Sequence, residues 1–128
     1  MIILFLTSGL FLGWSLGAND AANVFGSAVG SKMISFWKAA IIASVFVILG
    51  AVFQGSGTSE TLSKLGAVNA LGGSFTVALA AAVTVYLMVK FSIPVSSTQS
   101  IVGAIIGWNL FTGNTTDRSV LTQIVTTW

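Results

Sequence analysis

The chain has 128 residues, 55% of them hydrophobic and only 6% charged, with a mean hydropathy of +0.97. Soluble domains carry about 25% charged residues, so this composition excludes a soluble fold and points to an integral membrane protein. The cations Lys32, Lys38, Lys64, Lys90 and Arg118 are scattered, which excludes a nucleic-acid surface, and the chain has no cysteine or histidine for thiolate or imidazole chemistry.

The first apolar run, residues 2–31, is uncharged except for Asp20. As one straight helix it would reach about 45 Å, against a hydrocarbon core of about 30 Å. A break is therefore expected near 17–23, within GANDAAN. No Lys or Arg precedes the run and GAND is not a small-residue cleavage site, so it is expected to be mature protein rather than a signal peptide. The second run, 36–54, is a spanning helix flanked by Lys32 and Lys38, followed by a polar linker, GSGTSETLSKLG (55–66).

The third run, 68–93, is another crossing, with Lys90 placed to snorkel near its end. Pro94 lacks an N–H and disfavours helix at Ile93, so the helix should stop there. PVSSTQS (94–100) then leads into a short apolar stretch, Ile101 to Phe111, with a helix expected to begin near Ile101. A stretch that short cannot cross alone, and 94–111 reads as a re-entrant or half helix. A polar tail, TGNTTDRSVLTQIVTTW, follows. The expected fold is all-α, in a single membrane unit spanning 1–128. With Lys32, Lys38 and Lys90 on one side and Lys64 on the other, the positive-inside rule places the N-terminus outside. Small residues repeat every four positions at Gly9, Gly13, Gly17 and Ala21, and again at Ala22, Gly26 and Gly30. Such spacing lets membrane helices approach closely, although glycine is common in these helices anyway.

Two polar constellations interrupt the apolar pattern. On a helix, Asp20 and Asn23 share a face, as do Asn19 and Asn23. One carboxylate with amide oxygens is an all-oxygen ligand set for a hard cation such as Na⁺ or Mg²⁺, and an intramembrane carboxylate is functional by default. Alternatively, Asp20 is a helix cap at the membrane surface. The second constellation, Ser96, Ser97, Thr98, Gln99 and Ser100, follows a proline and precedes a helix. Free N–H groups at a helix start, with nearby hydroxyls, form an anion site, or one of the serines is an ordinary N-cap. A cation site and an anion site in one membrane unit suggest ion-coupled anion transport. No nucleophile–base pair or Walker loop is present, so enzymatic activity is not expected.

GANDAANVFGSAVGSK (17–32) closely resembles the signature of the inorganic phosphate transporter (PiT) family, whose eukaryotic members are sodium–phosphate symporters. The likeness extends through KAAIIASVF (38–46) and SET (59–61) and resumes at PVSSTQSIVGAIIGWNL (94–110). The resemblance implies a bundle of two inverted repeats, each with its own GAND-type and P-x-S-type motif, and a substrate held between them near the midplane. It implies that Asp20 and Asn23, with Asn19, hold Na⁺ as coupling ion and that Ser96, Ser97, Thr98 and Gln99 contact phosphate, with no further cofactor.

One copy of each motif makes this chain half of such a bundle, a fragment or one piece of a split protein. Its expected partners are the bilayer, inorganic phosphate, Na⁺, a second repeat or partner chain, and a second copy as a homodimer. The expected location is the cell membrane. Gln99 stands where many members have histidine, and Val47 where many animal members have glutamate. Proton-coupled phosphate transport, sulfate transport and a non-transporting structural subunit remain as alternatives.

Overall fold

The computed structural model describes residues 2–65, 71–116 and 118–127. Within them are α1 (Ile2–Gly30), α2 (Phe36–Leu65), α3 (Leu71–Lys90), α4 (Ser97–Thr112) and α5 (Arg118–Thr127), with no strand among the described residues. Two segments, Phe36–Gly57 and Leu71–Lys90, are long and apolar enough to cross a membrane. The protein is an all-α membrane protein.

Three expectations about element boundaries are corrected. α1 is not broken at 17–23; it runs for 29 residues, about 43 Å. Gly17 costs roughly 1 kcal/mol relative to alanine, too little to end a helix whose flank is packed. Asn19, the residue best able to compete for its own backbone, bonds to a distant segment instead. A helix of this length fits a bilayer by tilting. α2 does not stop at Gln54 but continues to Leu65, because no proline interrupts it and extending an existing helix needs no new nucleus. The expected linker is thus mostly helix, although the Lys64 side chain used for orientation lies outside the described residues, as do residues 68–70 of the third run. The expected polar tail contains α5, whose Ile124 is buried and whose Leu121 packs beside it. Leu121 and Ile124 are three apart and share a face.

α1 and α3 end by the same device. Lys32 and Ser92 adopt φ of 61° and 57°, and the next N–H reaches back: Met33 to Ala28 O at 3.0 Å, Ile93 to Met88 O at 2.9 Å. These are Schellman closures with a non-glycine residue in the left-handed position. α3 therefore stops at Lys90, ahead of the stop expected at Ile93, and residues 93–96 form a non-helical link to the cap of α4.

α1 and α3 are parallel: Phe5 meets Phe75 edge-on at 5.8 Å, and Trp14 lies 5.9 Å from Tyr86. α3 buries Gly73, Val77, Ala81, Ala82 and Val85, a face small enough for close helix approach. α1 answers with Ser8, Ser15 and Asn19, all buried. Its glycine stripe does not make this contact: a methyl at Gly9, Gly13 or Gly17 would meet nothing within 4 Å. α4 runs back along α3, so that Val102 and Ile105 join Val77 and Ile124 in the core. α2 stands apart with Ile41, Val45, Phe46, Val52 and Phe53 exposed, as suits a lipid-facing or partner-facing helix.

Gly73 lies at a close approach of α3 and α4. A Cβ there would lie 2.9 Å from Trp108 Cζ2 and 3.0 Å from Cε2. The indole is rigid, so Gly73→Ala is expected to destabilise the α3–α4 pair by about 1–3 kcal/mol, the usual cost of overpacking. Thermal unfolding in detergent checks this; an unchanged midpoint would mean that Trp108 swings aside freely.

Candidate functional site

The two polar constellations, more than 70 residues apart in sequence, meet in space. Asn19 is 3% exposed, and its Nδ2 lies 2.9 Å from Val95 O, 3.0 Å from Asp20 Oδ1 and 3.1 Å from Ser97 Oγ. Carboxylate and carbonyl oxygens only accept, so the amide nitrogen must face this cluster. An amide carries two protons, so three acceptors at these distances share them. The Ser97 hydroxyl donates to Asp20 Oδ1, closing a triangle of Asn19, Asp20 and Ser97.

The backbone explains why this meeting is possible. Residues 93–96 lie outside any helix, so the Val95 carbonyl is not consumed in one and remains available to Asn19. Ser96 is the N-cap of α4, with φ −78° and ψ 116°, and its Oγ accepts the Gln99 N–H at 3.3 Å. The Ser100 N–H makes the first helical bond, to Ser96 O at 3.1 Å. The amides of Ser97 and Thr98 lie ahead of that bond, among the N–H groups that a helix start leaves without helical partners.

Each candidate now has a place. Asn19, Asp20 and Ser97 are in direct contact. Ser96 Oγ accepts as the cap of α4, as the ordinary structural reading expects, and that contact uses a lone pair rather than its hydroxyl proton. Thr98 and Gln99 are exposed on the first turn of α4, and Asn23 is exposed one turn beyond Asn19 on α1. The carboxylate of Asp20 thus lies at the positive end of the α4 dipole, where negative charge is favoured. Among the described residues no three His, Cys, Asp or Glu side chains cluster as a metal cage. The site has one carboxylate surrounded by neutral oxygen and nitrogen groups.

Sequence reasoning treated the two motifs as separate sites and missed Val95, whose contribution is a backbone carbonyl without a side-chain signature. The signal was the serine cap: Ser96 Oγ takes the Gln99 N–H that a continued helix would give to Val95 O. The parallel register of α1 and α3 also brings Lys90 level with Ala18, and both line a cavity of about 250 Å³ with Trp14, Ser15, Tyr86 and Val89. α1 continues roughly 16 Å past Asn19. The candidate site therefore lies within the length of α1, level with the end of α3 and at the start of α4.

Residues 16–128 match the model of the phosphate transporter family. A protein of Thermococcus kodakarensis named "Putative phosphate permease" is 34% identical over 99% of this chain and 34% of its own length. One of the same name from Pyrococcus horikoshii is 38% identical over 88% of the chain and 30% of its length. The "Sodium-dependent phosphate transporter" of Plasmodium falciparum is 36% identical over 89% of the chain and 19% of its length. The chain thus spans about a third or less of these relatives. No solved structure matches it. That family is one of transporters and permeases, not of enzymes, and the match takes in both polar motifs: the chain belongs to the phosphate transporter family.

Proposed function

We propose that this chain is one repeat of a sodium-coupled inorganic phosphate symporter in the cell membrane, with its N-terminus outside. Asp20, with Asn23 and the oxygen of Asn19, holds Na⁺, and the start of α4 from Ser97 to Gln99 receives the phosphate oxygens. The observation that carries this reading is the contact between Asp20 and Ser97. It sets a carboxylate against the helix start that would take the oxyanion. Two like charges there repel, so phosphate binds well only when a cation offsets Asp20. That geometry supports co-transport as the reading. A single carboxylate with neutral oxygens suits a monovalent ion, whereas a divalent cage draws on more charge. The name of the Plasmodium relative supports sodium as that ion.

Asp20, Asn23, Thr98 and Gln99 are exposed on the chain's own surface. A second repeat, or a partner chain, completes the site over them, and alternating access comes from one bundle rocking against the other.

Reconstituted in proteoliposomes, the natural polypeptide is expected to take up radiolabelled phosphate under an inward Na⁺ gradient. Equal uptake under a proton gradient without Na⁺ would favour proton coupling, and full competition by sulfate would make it a general oxyanion permease. No uptake under either gradient, beside a stable complex with another membrane protein, would mark a structural subunit. Thr98→Ala removes one donor at the oxyanion. Hydrogen bonds to charged groups contribute about 1.5–3 kcal/mol, so the half-saturating phosphate concentration should rise roughly tenfold or more. An unchanged value would take Thr98 out of the site.

A further inference from the structure

We infer that the Ser97 hydroxyl is the element through which cation occupancy at Asp20 controls the oxyanion site, and that Asn19 is the positioning residue keeping Ser97 in reach. The inference rests on the sodium–phosphate reading above and assigns the coupling to one proton donor.

Ser97 Oγ carries one proton, and in this structure that proton points at Asp20 Oδ1. The same Oγ lies 3.1 Å from Asn19 Nδ2, from which it accepts. With its donor committed, Ser97 offers an arriving anion only lone pairs, next to a carboxylate. This state of the α4 start holds phosphate less tightly than one in which that proton is available. A hard cation on Asp20 takes up the Oδ1 lone pairs to which Ser97 donates. The hydroxyl proton is then released, and rotation about the Cβ–Oγ bond turns it toward an oxyanion at the Ser97 and Thr98 amides. Cation binding thus removes a repulsion and frees a donor in one step.

Neighbouring serines cannot do this. Ser96 Oγ is held by the Gln99 N–H, and the Ser100 hydroxyl donates to Ser96 O at 3.1 Å. Ser97 alone among them touches Asp20. Asn19 keeps the rearrangement local. Its amide also holds Val95 O at 2.9 Å, which ties the loop backbone to α1 while the hydroxyl turns. The amide is buried and its two protons have the Val95 and Ser97 acceptors even when Asp20 is ligated to a cation.

The test is the coupling factor, the ratio of phosphate Kd without Na⁺ (choline replacing it) to phosphate Kd at saturating Na⁺, measured with radiolabelled phosphate on the natural polypeptide in detergent. Coupling is reciprocal, so the same factor is read from Na⁺ affinity with and without phosphate. For Ser97→Ala the factor should fall on the order of tenfold, the worth of one hydrogen bond to a charged group. Na⁺ affinity without phosphate should be unchanged or tighter, because a competitor for Asp20 is gone. Ser97→Thr, which keeps the hydroxyl, should restore the factor. A Ser97→Ala protein in which phosphate and Na⁺ binding weaken together at an unchanged factor overturns the relay and leaves Ser97 a structural residue. Wild-type phosphate binding that ignores Na⁺ altogether overturns the sodium-coupled reading itself.

Discussion

Asp20→Asn should abolish sodium-driven phosphate uptake while leaving the protein folded. The substitution is nearly isosteric, and an asparagine oxygen at this position still accepts from Asn19 Nδ2 and from the Ser97 hydroxyl, the bonds that Asp20 Oδ1 makes now. Loss of a charge from the start of α4 removes a dipole interaction of about 0.3–1 kcal/mol. Cation binding loses far more. At an effective dielectric of about 20, opposite unit charges 4 Å apart attract by about 4 kcal/mol, and ligand distances are shorter. That corresponds to roughly a thousandfold in Na⁺ affinity. Uptake under an imposed Na⁺ gradient, with protein yield and thermal midpoint measured on the same samples, checks both halves. Normal uptake with unchanged sodium dependence would remove Asp20 from the ion site; lost uptake with a collapsed thermal midpoint would make it a structural residue.

The parts legible in the sequence are those fixed by local chemistry. Composition settled an all-α membrane protein, because so little charge cannot cover a soluble surface. A serine cap after Pro94 was one of the two readings of PVSSTQS, and α4 does begin under a Ser96 cap, about one turn ahead of the start expected near Ile101. The polar residues of GAND stood out against an apolar background and do take part in one site.

What was not legible depends on tertiary partners. The expected break in α1 followed from length and from the glycine and asparagine content of 17–23. Packing on α3 and the long-range bonds of Asn19 override both. The glycine stripe could not reveal its own side: Gly9, Gly13 and Gly17 face outward, while Ser8 and Ser15, unremarkable in sequence, form the buried face. α5 was hidden because its polar residues outnumber its two core contacts, Leu121 and Ile124. Periodicity identifies an apolar face but not which neighbour covers it. For Asn19 the sequence offered the side-chain oxygen as an ion ligand. The structure shows that the nitrogen end has a separate task, bridging two motifs.

That task sets the last and most severe prediction, Asn19→Asp. By volume the change is negligible, and a surface asparagine would tolerate it. Here the exchanged atom is Nδ2, which faces Val95 O, Asp20 Oδ1 and Ser97 Oγ at 2.9–3.1 Å. Turning that donor into a carboxylate oxygen sets an acceptor against two oxygens that cannot donate, Val95 O and Asp20 Oδ1, leaves one Ser97 hydroxyl proton for two carboxylates, and puts a second negative charge beside Asp20, in a side chain only 3% exposed. Buried charges without a partner cost about 3–5 kcal/mol. Asn19→Ala removes the same donors but adds no charge, and should cost about 1–3 kcal/mol for the acceptors left behind. The expected order of thermal stability in detergent is therefore wild type, then Asn19→Ala, then Asn19→Asp. If Asn19 served mainly to fill space between α1 and the loop before α4, the order of the variants would reverse, because alanine leaves the larger void. The ranking of two substitutions, rather than the size of either, thus decides whether the GAND motif is joined to the start of α4 by hydrogen bonds or by packing.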